Sequence, residues 1–152
     1  MAATAWQLYN SAKRYIGNGT ITLGAGVFKM LLATSASNTS TFTLSTYASI
    51  TNEIAQQGGY LTGGRNIPPA TGIWTTGASA KQMKFTYSTI GLTFTASGTA
   101  LANIKYAVIR NSTGATAGKL LCFCRLSSSQ FTVSSPNTLT ILPAATGVFT
   151  LT

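Results

Sequence analysis

The chain contains no histidine, no aspartate and a single glutamate, Glu53. That shortage excludes a great deal of chemistry. General acid–base catalysis needs groups that titrate near the working pH, chiefly His, or a pair of carboxylates. Serine triads, aspartic dyads and glycosidase carboxylate pairs are therefore ruled out by counting. Hydrolytic and phosphoryl-transfer metal centres need several carboxylates or imidazoles, which are also missing. The expectation is a protein that is not an enzyme, with no catalytic, cofactor-binding or metal-ligating residues and no small-molecule substrate.

Cysteine is nearly as scarce. Cys122 and Cys124 stand two apart in a predicted strand, where side chains share a face but diverge, so a disulfide between them would be strained. A C-x-C pair is at best half a metal site, and nothing else in the chain completes it. A cysteine nucleophile would lack a partner base, and no S-x-x-K spacing offers a Ser–Lys dyad in its place. The two thiols read as small buried hydrophobes in a reducing compartment.

Long apolar runs are missing too. No window approaches the roughly 18 apolar residues of a membrane span. Residues 1–17 have no signal-peptide core, because Gln7, Asn10, Lys13 and Arg14 interrupt it. A cytosolic chain without membrane association is expected. Charge is sparse, 7% of residues against a typical ~25%.

Apolar residues make up 45% of the 152, enough to build a core. Ser and Thr number 41, so hydroxyls replace charges as the solvating groups. Thr is β-branched and suits a pleated surface, which favours strands. The charge present is one-sided, ten Lys and Arg for a formal +9, and such a surface attracts acidic partners or polyanions. The basic residues are scattered along the sequence, only Lys13 and Arg14 being adjacent. Dedicated nucleic-acid readers cluster theirs, so nucleic acid is not the expected partner.

Residues 5–16 place Trp6, Tyr9, Ala12/Lys13 and Ile16 three and four apart, which predicts a short amphipathic helix ended by Gly17 and Gly19. Its aromatic stripe either packs into the core or docks on a neighbour. Thr20–Leu23 reads as a strand, and Val27–Ala33 as a buried central one. Residues 34–46 read as a Ser/Thr-rich surface loop with a short strand at Phe42–Leu44. The doubled glycines 58–59 and 63–64 flank Tyr60-Leu61-Thr62, allowing tight turns, and Pro68-Pro69 bars a helix beyond.

Alternation then predicts strands at 81–86, around Leu92 and Phe94, and at 104–110. Further strands follow at 119–126, 131–133, 139–142 and 148–151. GATAGK (114–119) departs from a phosphate loop in spacing and has no following helix, so it reads as a hairpin. Nine or ten short strands near ten-residue spacing predict a mainly β chain, a β-sandwich or jelly roll, with a short N-terminal helix. One β domain over 1–152, with 1–17 as its N-terminal arm, is expected. Three N-x-S/T triplets, at Asn18, Asn38 and Asn111, match chance in so hydroxyl-rich a chain. Glu53 either pairs with Arg65, pinning the Gly-rich loop, or is an exposed acid at a strand end.

In order, the chain carries W-x-x-Y-N (from Trp6), T-I-T-L (20–23), F-K-M-L-L-A-T-S (28–35) and T-N-E-I (51–54). G-Y-L-T-G-G-R (59–65), Y-A-V-I-R-N (106–111), L-L-C-F (120–123) and N-T-L-T-I (137–141) follow. This succession resembles a family of small structural proteins of tailed phages, over nearly the whole chain and by order and spacing. The acidic residues such proteins often carry after the T-I-x-L strand are missing here, which puts any shared ion site in doubt and makes the surface more basic. The resemblance implies a capsid decoration, or cement, protein on the virion surface. It would be assembled in the bacterial host cytoplasm and bind the major capsid protein, itself as a dimer or trimer. Expected docking residues are Trp6, Tyr9, Lys13 and Arg14 on the helix, with Tyr60 and Arg65 on the Gly-rich loop. The rivals are a tail or neck component and a basic nucleic-acid-binding β domain.

Overall fold

The computed structural model describes residues 3–68 and 73–152; the predicted stop at Pro69 lies outside them. The fold is mainly β, with antiparallel sheets and one short helix. Its strands are β1 (Gln7–Leu8), β2 (Phe28–Thr34), β3 (Arg65–Asn66), β4 (Trp74–Thr76), β5 (Met83–Phe85) and β6 (Leu92–Thr95). They continue with β7 (Leu101–Asn111), β8 (Leu120–Arg125), β9 (Phe131–Val133), β10 (Thr138–Ile141) and β11 (Phe149–Leu151). The helix, α1, spans Asn10–Gly17. No described helix is long and apolar enough to cross a membrane.

The main sheet runs β1-β8-β7-β2-β3, with β9 also paired to β7. Its centre is the long β7, whose Val108 faces Leu31 on one side and Phe123 on the other. Successive side chains point to opposite faces, so Leu31, Val108 and Phe123 share one face while Phe28, Ile109 and Cys122 share the other. The first face is covered by α1 and the following segment: Tyr9 and Phe42 meet the Phe123 ring at 5.1 and 5.5 Å. The second is covered by the smaller sheets β11-β5-β4 and β10-β6, where Phe28 meets Phe85 edge-on at 5.0 Å. This is the packing of a β-sandwich, and the buried apolar side chains form one cluster. Each fully buried Leu or Ile contributes roughly 1.5–3 kcal/mol.

Several predicted elements differ. The helix starts at Asn10 rather than residue 5, because Gln7 and Leu8 pair with Phe123 and Cys122 along the open edge of β8. Ladder bonds to that edge outweigh the modest helical preference of the same residues. Thr20–Leu23 is turn and loop, its Ile21 and Leu23 buried without a partner strand. Phe42–Leu44 is also not a strand; Phe42 serves through its ring alone. The connection 111–118 closes as the expected hairpin, with Asn111 N–H on Lys119 O and Gly118 N–H on Asn111 O, each at 2.8 Å.

Candidate functional site

The outer edge of β2 would present unpaired backbone groups, a hazard in any sheet, and the chain from 52 to 67 is wrapped along it. Ile67 N–H bonds Phe28 O at 2.9 Å, and β3 pairs with Lys29 and Met30. At the far end Ile54 N–H bonds Leu32 O and Thr34 N–H bonds Asn52 O, both at 3.0 Å. Between them the Tyr60 hydroxyl accepts the Leu32 N–H at 3.1 Å. A side chain here takes the place of a neighbouring strand.

The wrapping segment is itself clamped by Glu53. Its Oε1 accepts from the Tyr60 hydroxyl at 2.5 Å and from Gly63 N–H at 2.7 Å, and its Oε2 accepts from the Tyr47 hydroxyl at 2.5 Å. Arg110 completes the cluster: Nε and one terminal nitrogen donate to Gly63 O at 3.1 and 2.9 Å, and its guanidinium lies 4.5 Å from the Tyr47 ring centroid. Burial, then hydrogen bonding to Glu53, raise both phenols, Tyr47 to about 12 and Tyr60 further. Both phenols therefore stay protonated as donors to the acid. The turn at 63–64 requires glycine, since a Cβ on Gly64, at φ +82°, would stand 2.2 Å from Met30 O.

The predicted pair of Glu53 with Arg65 does not form. Glu53 is half-buried and, among the described residues, joined to no cation; two phenols and an amide hold it. Arg65 instead donates to Thr93 O at 2.7 Å, tying the loop to β6. Charge-assisted hydrogen bonds from neutral donors satisfy a half-buried carboxylate without desolvating a guanidinium as well.

The predicted docking residues divide. Tyr9 is fully buried against Phe123, and its hydroxyl donates to Thr39 O at 2.9 Å, so it is core. Tyr60 is buried at 3% exposure and is part of the clamp. Neither is available to a partner. Lys13, Arg14 and Arg65 are exposed and Trp6 is half-buried. Arg65 borders a cavity of about 380 Å³ between the Gly-rich loop and β6, lined also by Tyr60, Leu61, Phe94 and Ser97. Among the described residues no group of three or more His, Cys, Asp or Glu comes together to hold a metal.

Sequence reasoning missed Tyr47 and Arg110, because only the fold brings Tyr47 onto Glu53 and the end of β7 onto Gly63 and the Tyr47 ring. It also missed Tyr15, which is buried beneath two cations: the Arg14 guanidinium lies 5.3 Å and the Lys119 ammonium 5.0 Å from its ring centroid. Comparison with known proteins returns no match among family models, curated proteins or solved structures.

Proposed function

We propose that this chain is a structural virion protein that decorates a phage capsid, binding the shell of the major capsid protein and stabilising it. The supporting observation is electrostatic. Ten cations accompany one carboxylate, and that carboxylate is engaged inside the fold by Tyr47, Tyr60 and Gly63. Among the described residues the cations have no carboxylate side chain as counter-ion, so an acidic surface outside the molecule is what they suit. The resemblance to small tailed-phage structural proteins names such a surface, a capsid shell. Many copies binding a repetitive shell gain avidity, so each contact need only be modest. In this reading the protein self-associates as a dimer or trimer, assembles in the bacterial cytoplasm and ends on the capsid surface.

The test is cosedimentation of the purified protein with phage heads lacking it, at low and moderate salt, beside free duplex DNA. Saturable binding to heads that survives moderate salt, with little DNA retained, is the expected result and yields the copy number. Failure to bind heads overturns the reading. Retention on DNA alone, falling steeply with salt as counter-ion release dictates, replaces it with a polyanion binder.

A further inference from the structure

The basic residues that lie far apart in sequence do not stay apart in the fold. Lys29 and Arg110 are cross-strand partners in β2 and β7. By parity with Leu31 and Val108 they point to the face that carries α1. The Arg110 guanidinium covers the Tyr47 ring. Tyr47 N–H bonds Gly118 O at 2.6 Å, and the preceding Thr46 bridges Lys119. The Lys119 ammonium and the Arg14 guanidinium then converge on the single ring of Tyr15. Taken end to end, these contacts join four of the ten cations into one surface around the end of α1.

These cations are positioned rather than loose. A cation over a phenol face keeps much of its hydration while losing some of its freedom, which lowers the ordering cost on binding. The field is felt locally: burial raises the Tyr15 phenol, yet hydrogen bonding and charge from Arg14 and Lys119 outweigh it and leave its pKa below 10.

We propose that Arg14 and Lys119 over Tyr15, with Arg110 and Lys29 beside them, form a docking surface for an acidic protein segment that presents carboxylates. This rests on the capsid reading and names where the shell would be met. A second copy of the chain does not suit the surface, because its one carboxylate is already engaged and +9 would face +9. Nucleic acid suits it less well than protein. Single strands bind by stacking bases on free aromatic faces, whereas both rings here are covered by their own cations.

The experiment uses the full chain with poly-L-glutamate, duplex DNA and undecorated heads as three separate probes. Arg14→Gln combined with Lys119→Gln is compared with Lys81→Gln combined with Arg125→Gln, which removes equal charge elsewhere. Thermal melting checks that each variant folds, and Arg14→Lys with Lys119→Arg preserves the charge at the surface. The expected result is about a tenfold loss of poly-glutamate affinity in the first variant, about twofold or less in the second, and near-full retention in the third. Equal losses in the first two overturn the surface, leaving only overall charge. A loss confined to DNA overturns the carboxylate partner in favour of nucleic acid. Heads that bind wild type and the first variant alike also overturn the surface while the capsid reading stands. If heads ignore the wild type while poly-glutamate still depends on Arg14 and Lys119, the surface stands and the capsid reading falls.

Discussion

The hydroxyl of Tyr60 donates to Glu53 Oε1 at 2.5 Å while accepting the N–H of Leu32 at 3.1 Å. One side chain thus finishes the edge of β2 and secures the only acid in the chain.

Tyr60→Phe removes both bonds at a site 3% exposed, leaving a buried N–H and a carboxylate oxygen each short of a partner. The expected cost is about 2–4 kcal/mol in urea unfolding. Glu53→Gln keeps the shape and most of the hydrogen bonding, so it should cost less than Glu53→Ala. A Tyr60→Phe loss below about 0.5 kcal/mol would show that the clamp contributes nothing to stability.

Gly64→Ala places a methyl group against the Met30 carbonyl and demands a positive φ. A loss of roughly 3 kcal/mol or more is expected, the combined effect of a backbone clash and a disfavoured conformation. Gly98 also has a positive φ, +73°, but open space around it, so Gly98→Ala should cost only about 1 kcal/mol. Equal melting temperatures for the two variants would contradict the close packing of the loop on β2.

Burial raises the phenols of Tyr9, Tyr47, Tyr60 and Tyr87 above 10, Tyr47 to about 12. The folded state therefore holds these protons more tightly than the unfolded chain. The stability they contribute is complete below pH ~10, and it is lost as pH rises from there to the folded values, about 12 for Tyr47 and higher for the other three. Melting temperature should fall across that range. In an absorbance titration of the native protein Tyr15 should ionise early and these four late. A single native step near pH 10 for all of them would be inconsistent with the buried clamp.

Cys122 and Cys124 are buried, and burial raises their thiols, Cys124 to about 12 and Cys122 well above its usual value. The thiolate is the reactive form. Neither cysteine should react with a disulfide reagent at pH 8 until the protein is unfolded, when both should. Rapid native labelling would mean that β8 opens far more readily than a central strand should.

The strands from 81 onward were readable because alternation survives wherever one face meets the core, as in Met83–Phe85 and Leu92–Thr95. The run at Phe28–Thr34 was readable as central for the opposite reason, being apolar on both faces. The amphipathic start was readable only in part. Trp6 and Tyr9 share a helical spacing, but residues 7 and 8 gain more from the edge of β8 than from a helix. That competition cannot be weighed without the edge itself. The pairing of Glu53 with Arg65 misled for a related reason: charge and nearness in sequence suggested a guanidinium, while the fold delivered two phenols from either side.

By itself the sequence determined the class of fold, the one-sided positive charge and the scarcity of carboxylates and imidazoles, all of which follow from composition and short-range pattern. Only the tertiary structure decided that Tyr9 and Tyr60 belong to the interior, that Tyr47 donates to Glu53 while Arg110 covers its ring, and that Arg14 and Lys119 share one ring. Those relations join residues from about 6 to more than 100 positions apart. Local periodicity carries no information over such distances; the register of β2, β7 and β8 sets them.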